Sequence, residues 1–215
     1  MVGQQFPKII CVGKNYLKHV IEMGGTQIPE VPMLFLKPWS SLAVAPQQLT
    51  LKIAAKHRID HELELGVFIK KGGSNISKEN AMEHVGGYFL ALDLTDRDLQ
   101  KVAKEKGFPW SLSKGQDGFC PVSQPIMDPI DPYKVELELK VNGQVRQKDM
   151  ASGMHFKIDE LISYSSQFMT LTEGDLILTG TPEGVGPITI GDKIEGKASY
   201  EGKVVAELNF SVIEN

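Results

Sequence analysis

Asp60-His61-Glu62-Leu63-Glu64-Leu65-Gly66-Val67-Phe68-Ile69 is the stretch on which the reading of this chain turns. Apolar residues alternate with polar ones and then take over, which predicts a strand over Glu62–Lys70. Strand side chains alternate between faces, so Glu62 and Glu64 point the same way, about 6.5–7 Å apart along the backbone. Two carboxylates so placed can converge on one cation, while His61 faces away. The plainer alternative is a half-exposed strand with a polar outer face.

A second acidic strand end shifts the balance. In Leu90-Ala91-Leu92-Asp93-Leu94-Thr95-Asp96-Arg97-Asp98, Asp93 follows an apolar run where an ionised side chain is costly unless paired or bound to metal. Glu62, Glu64 and Asp93 then form an all-oxygen set, with no cysteine or suitably spaced histidine beside them. That donor set selects a hard ion, Mg²⁺ or Mn²⁺, over a soft one.

Further out, His19 and Glu22 stand three residues apart, so on a helix they share a face. A carboxylate there can orient the imidazole and make it a general base for water, although a surface His beside a surface Glu reads the same way. His57, His61, His84 and His155 have no partner at ligand spacing and are read as structural. Lys37 and Lys114 each end an apolar run, where a lysine either reaches for solvent or meets a substrate carboxylate. The loop Leu178-Thr179-Gly180-Thr181-Pro182-Glu183-Gly184-Val185-Gly186-Pro187 follows a strand; its amides and Thr181 could approach an anion. It has neither the lysine of a P-loop nor the strand-to-helix setting of a dinucleotide site.

The rest of the chain supplies a scaffold. Strands are expected near Lys8–Val12, Met33–Lys37, Leu49–Ile53, Val85–Asp93, Lys134–Val141, Asp175–Thr179, Lys193–Tyr200 and Lys203–Val212. Asn142-Gly143 is a strong hairpin signal and Tyr200-Glu201-Gly202-Lys203 reads similarly. Short helices are expected at Asn15–Met23, Ser77–Glu83, Thr95–Lys106 and Asp159–Phe168, and the Pro-rich run Pro121–Pro132 as a surface connection. The fold class is therefore α+β, mainly β, with short helices at the periphery. With 215 residues, no repeat and no long linker, residues 1–215 read as a single domain.

Composition narrows the function classes. A net charge of −4 with scattered Lys and Arg gives no basic stripe for phosphates, so nucleic acid is excluded as a partner. Cys11 and Cys120 form no CxxC pair, which argues against structural zinc or a disulfide framework. Apolar runs of about eight residues fall far short of the roughly 20 that span a bilayer, so no membrane association is expected. Met1–Pro7 carries neither a signal core nor an Arg-rich presequence, so secretion is not expected.

Several of these motifs occur in one order: Cys11-Val12-Gly13-Lys14-Asn15-Tyr16 with His19 and Glu22, Phe35-Leu36-Lys37-Pro38, His61 to Gly66, Gly86-Gly87-Tyr88 to Asp98, Lys114-Gly115-Gln116-Asp117, and Leu178 to Gly186. That order, over nearly the whole chain, resembles the fumarylacetoacetate hydrolase superfamily. The resemblance implies a mixed β-sandwich roll, usually a homodimer, with Mg²⁺ or Mn²⁺ held by Glu62, Glu64 and Asp93. It implies that His19 and Glu22 form a water-activating dyad on a mobile lid, that Lys114 supports the reacting carboxylate, and that Lys37, Arg97, Gln100 and Thr181 line the substrate pocket. The implied activity is cleavage of carbon–carbon bonds in small 2-oxo acids: acylpyruvate hydrolysis (acetylpyruvate, fumarylpyruvate) and oxaloacetate decarboxylation through an enolate, hydrolase and lyase chemistry in mitochondrion or cytosol. The alternatives are an oxaloacetate keto–enol tautomerase or related isomerase, and a catalytically silent oxo-acid-binding protein. Two residues depart from the pattern: Lys14 where relatives often carry Arg, and Asp60 where a second His is common.

Overall fold

A computed structural model describes residues 7–45, 49–53 and 56–214; Met1–Phe6, most of the stretch read for a presequence, lies outside the described residues. A seven-stranded sheet forms the centre. Its order is Met33–Lys37, Ile9–Gly13, Leu176–Leu178, Leu63–Ile69, Val85–Leu92, Cys120–Val122 and Leu42–Val44. A five-stranded sheet runs Gln144–Met150, Val135–Val141, Lys193–Tyr200, Lys203–Glu214 and Leu49–Ile53, and a small third sheet joins Gly186–Ile188, Ile59–His61 and Thr95–Asp96.

Both faces of the central sheet are buried. On one side Leu63, Leu65, Val67, Leu90 and Leu92 meet Leu137, Leu139, Ala198, Leu208 and Phe210 of the five-stranded sheet, with Ile158, Leu161 and Ile162 of the Ile158–Phe168 helix added to the same core. On the other, Ile9, Cys11, Phe89, Ala91, Cys120, Val122, Leu176 and Leu178 make a second cluster. Strands covered on both faces need not alternate, which is why Ile9-Ile10-Cys11-Val12 is continuously apolar. Both cysteines are free and buried. The architecture is the mainly-β, α+β one expected, and its helices are short.

The hairpins match their sequence signals, with Asn142 and Gly143 at φ 52° and 76°, and Glu201 and Gly202 at 50° and 77°. Two expectations need correction. The Glu62–Lys70 strand is broken at its first residue: Ile59–His61 pairs in the small sheet, Leu63–Ile69 pairs in the central one, and Glu62 is the joint between them. The Pro121–Pro132 run is not wholly a surface connection, because it begins inside the buried strand Cys120–Val122 that pairs with Leu42–Val44.

Candidate active site

Changing sheets at Glu62 turns the chain so that its carboxylate meets those of Glu64, on the adjoining strand, and Asp93, just past the end of the neighbouring Val85–Leu92 strand. The three residues are 6%, 1% and 1% exposed. One oxygen from each lies within 4.8 Å of the others. Their environments differ. Glu62 accepts from Thr95 Oγ1 and Arg97 Nη2, both at 2.8 Å, and from Lys114 Nζ at 2.9 Å. Burial alone would raise its pKa, but Lys114 and Arg97 outweigh burial and hold the carboxyl below its ordinary range.

Glu64 is less compensated. Gly180 N–H donates to its Oε2 at 2.6 Å, while burial and the charges of Asp93 and Glu62 push its pKa well above the usual carboxylate value. Lys114 Nζ bridges Glu62 and Asp93, donating to Asp93 Oδ2 at 2.5 Å. Burial works against that ammonium, yet Asp93 and Glu62 keep its pKa above the ordinary lysine value.

These residues fit a hard divalent ion. Three buried carboxylates repel one another, Asp93 Oδ1 lacks a hydrogen-bond partner, and all the donors are oxygens. A cation among them would relieve the repulsion that perturbs Glu64.

Glu62 and Glu64 line a cavity of about 50 Å³, with Asp93 buried behind them. His19, Arg97, Gln100, Lys114 and Thr181 line it on the polar side, and Val20, Met23, Met33, Phe35 and Trp110 on the apolar side, with Lys14 and Lys104 also present. His19 and Glu22 lie on the Leu17–Glu22 helix, where His19 Nδ1 is 3.2 Å from Glu22 Oε2. A carboxylate can only accept, so Nδ1 carries the proton and Nε2 is the basic nitrogen. Glu22 Oε1 accepts from Gly184 N–H at 3.0 Å. The glycine-rich loop thus spends the amides of Gly180 and Gly184 on the protein's own carboxylates, Glu64 and Glu22, rather than on an external anion.

Arg97 and Gln100 are three apart on the Arg97–Lys106 helix and hydrogen-bonded, Arg97 Nη1 donating to Gln100 Oε1 at 2.9 Å. Thr181 Oγ1 donates to Leu63 O and accepts from Gln147 Nε2, both at 2.8 Å. Lys37 is different. It lies behind Asp93, fully buried, and is not on the cavity wall where a substrate-binding residue was expected. Sequence reading marked Asp60 only as a departure from the family pattern and gave no role to it or to Gln147; Asp60 Oδ2 accepts from Arg97 Nε at 2.8 Å, and Gln147 also accepts from His61 and the Leu63 amide. Spacing could not reveal either contact: Asp60 meets a residue 37 positions away, and Gln147 belongs to another sheet.

A buried acidic triad whose donors suit a divalent metal, beside a small pocket that also holds His19, marks a candidate enzyme active site on curled sheets. The model of the fumarylacetoacetate (FAA) hydrolase C-terminal family matches residues 8–209, and the chain belongs to that family. The mitochondrial oxaloacetate tautomerase FAHD1 of Mus musculus is 48% identical over 207 residues, covering 95% of this chain and 90% of its own. The Homo sapiens protein of the same name is 49% identical over 190 residues, 87% of this chain and 85% of its own. Among solved structures, fumarylpyruvate hydrolase from Pseudomonas aeruginosa, in complex with Mn²⁺ and pyruvate, superposes with a TM-score of 0.88 at 34% identity over 100% of this chain and 94% of that one. A 5-carboxymethyl-2-hydroxymuconate delta-isomerase from Mycobacterium smegmatis does so with a TM-score of 0.82 at 39% identity, over 97% and 79%.

Proposed function

We propose that this chain is a divalent-metal-dependent enzyme that interconverts the keto and enol forms of oxaloacetate and similar small 2-oxo acids. The observation that carries the reading is the 50 Å³ cavity lined by Glu62, Glu64 and His19, with Asp93 completing the acidic cluster and Glu22 backing the imidazole. Relatives at 48% and 49% identity bear the name oxaloacetate tautomerase, which sets this reading ahead of bond cleavage. Mg²⁺ or Mn²⁺ held by Glu62, Glu64 and Asp93 would supply Lewis-acid stabilisation, worth several kcal/mol, of negative charge developing on the substrate's 2-oxygen.

The chain's own groups do the rest. His19 Nε2 takes the proton from C3, and Glu22 fixes the tautomer that leaves this nitrogen basic. Returning the proton to oxygen gives the enol; the reverse path restores the ketone. Arg97 and Lys114 add positive charge beside the carboxylates, and Thr181, its hydroxyl held by Leu63 O and Gln147, shapes the pocket. Lys37 belongs to the support of Asp93 rather than to the substrate contact.

Acylpyruvate hydrolysis and oxaloacetate decarboxylation form the second reading. The same His19, taking its proton from water instead of carbon, would generate the nucleophile for an acylpyruvate, and a solved relative is named fumarylpyruvate hydrolase. A homodimer is part of the proposal, checked by light scattering in solution.

Following enol-oxaloacetate by its ultraviolet absorbance while assaying pyruvate with a coupled dehydrogenase separates the two. Loss of enol signal without pyruvate is the expected result with Mg²⁺; stoichiometric pyruvate moves cleavage to first place. Replacing His19 by Ala should slow turnover by about 10² or more, the usual share of general-base catalysis. An unchanged rate would remove His19 from the mechanism.

A further inference from the structure

Lys37 ends the Met33–Lys37 strand with Leu36 exposed and its own side chain turned inward, a charge where alternation calls for an apolar group. An ammonium buried this deeply is tolerated only with full compensation. It has that. Nζ donates to Leu94 O at 3.1 Å, to Phe119 O at 2.9 Å and to Lys114 O. A lysine has three protons, and three carbonyls take them.

Asp93 Oδ1 lies 2.9 Å from the same nitrogen, yet it has no hydrogen-bond partner. The two observations explain each other: the contact is one of charge alone, because no proton is left to donate. The three carbonyls are also telling. Leu94 follows Asp93 in the chain, Lys114 bridges Glu62 and Asp93, and Phe119 leads into the Cys120–Val122 strand. One buried nitrogen therefore fastens the backbone behind one carboxylate of the triad to the backbone of the lysine that bridges two of them.

We propose that Lys37 is a positioning residue for the metal centre. It locks Asp93 and Lys114 in register with each other, and it places positive charge beside Asp93 Oδ1 while leaving that oxygen's lone pairs for the cation. This rests on the reading of Glu62, Glu64 and Asp93 as metal ligands.

The test is Mn²⁺ binding by calorimetry and electron paramagnetic resonance on purified wild-type, Lys37→Met, Lys37→Arg and Glu64→Gln proteins, each checked for native circular dichroism. Folded Lys37→Met should bind Mn²⁺ about 10–100-fold more weakly, the usual effect of losing an outer-sphere partner, with an altered spectrum of the bound ion. Arg keeps the charge but cannot aim a planar fork at three carbonyls, so it should not restore binding. Wild-type affinity and spectrum in folded Lys37→Met would overturn the inference. Glu64→Gln is the control: if it too binds Mn²⁺ like wild type, the ligand assignment itself fails, whereas loss there with retention in Lys37→Met sinks only the role of Lys37. Should Lys37→Met not fold, ¹⁵N-lysine spectra of the wild type decide. A slowly exchanging Lys37 ammonium signal that shifts on adding Mg²⁺ is expected, and a signal indifferent to saturating Mg²⁺ refutes the proposal.

Discussion

Gly184 sits at φ +91°, and a Cβ there would drive into the Arg146 carbonyl oxygen. Its amide is also the donor to Glu22 Oε1. Replacing Gly184 by Ala should therefore lower stability by about 1–3 kcal/mol through the left-handed backbone alone. Turnover should fall as well, since Glu22 loses the contact that helps aim it at His19; thermal denaturation and steady-state kinetics measure the two effects, and an alanine variant with native stability contradicts this account of the loop. At this scale the sequence was legible where spacing encodes direction. Glu62, Glu64 and Asp93 were visible because ionised groups at the ends of apolar strands demand a partner, and His19 and Glu22 because three residues make most of a helical turn. Lys37 was visible as an anomaly but its surroundings were not, because alternation says that a side chain points inward and not what it meets.

The Arg97–Lys106 helix carries Arg97 and Gln100 into the cavity, and its start is fixed by Asp96, whose Oδ1 accepts from Leu99 N–H at 3.0 Å. Asp96 Oδ2 also accepts from His57 Nδ1 at 2.6 Å. Asp96→Ala should cost about 1 kcal/mol through the lost cap, with the larger functional effect in KM because the helix positions pocket residues. The hydrogen bond and charge of Asp96 raise the pKa of His57 from 6.5. A raised histidine stabilises most below its unfolded value and the benefit fades as pH climbs through the folded one. The melting-temperature gap between wild type and His57→Gln should therefore be widest near pH 5–6 and close as pH rises above about 6.5. A gap that widens with pH would reverse the assignment. Elements were legible where periodicity ran uninterrupted: Met33–Lys37 and Lys193–Tyr200 match residue for residue. The predicted helix at Thr95 begins two residues later because Thr95–Asp96 pairs with Ile59–Asp60 instead. The break at Glu62 left no local trace, since both halves of that segment are β and only the identity of their partners differs.

For the molecule as a whole, a ligand that binds only the folded state adds stability by mass action. Mg²⁺ at a hundredfold excess over its Kd should contribute about 2.7 kcal/mol, a rise of roughly 5–11 °C in melting temperature for a chain of this size. Glu64→Gln should abolish that rise. It should also leave the metal-free protein no less stable than wild type, because a like charge has been removed from a buried cluster that already raises the pKa of Glu64. An undiminished Mg²⁺ shift in the variant would place the ion elsewhere. The family order of motifs was readable at this scale because it spans the chain, while sheet partnership was not, being set by pairings between residues far apart in sequence.

Such pairings have a temporal side. Phe210–Glu214 lies parallel to Leu49–Ile53, and Leu176–Leu178 separates Ile9–Gly13 from Leu63–Ile69 in the central sheet. A nascent polypeptide that has left the ribosome only as far as residue 170 can form hairpins, but it lacks the strand that joins its first two sheet fragments and the one that covers the exposed edge at Leu49–Ile53. Such an intermediate offers open strand edges to other chains. Completion of the sheets around the acidic cluster therefore comes late in biosynthesis, and until then the half-made chain presents edges that invite aggregation.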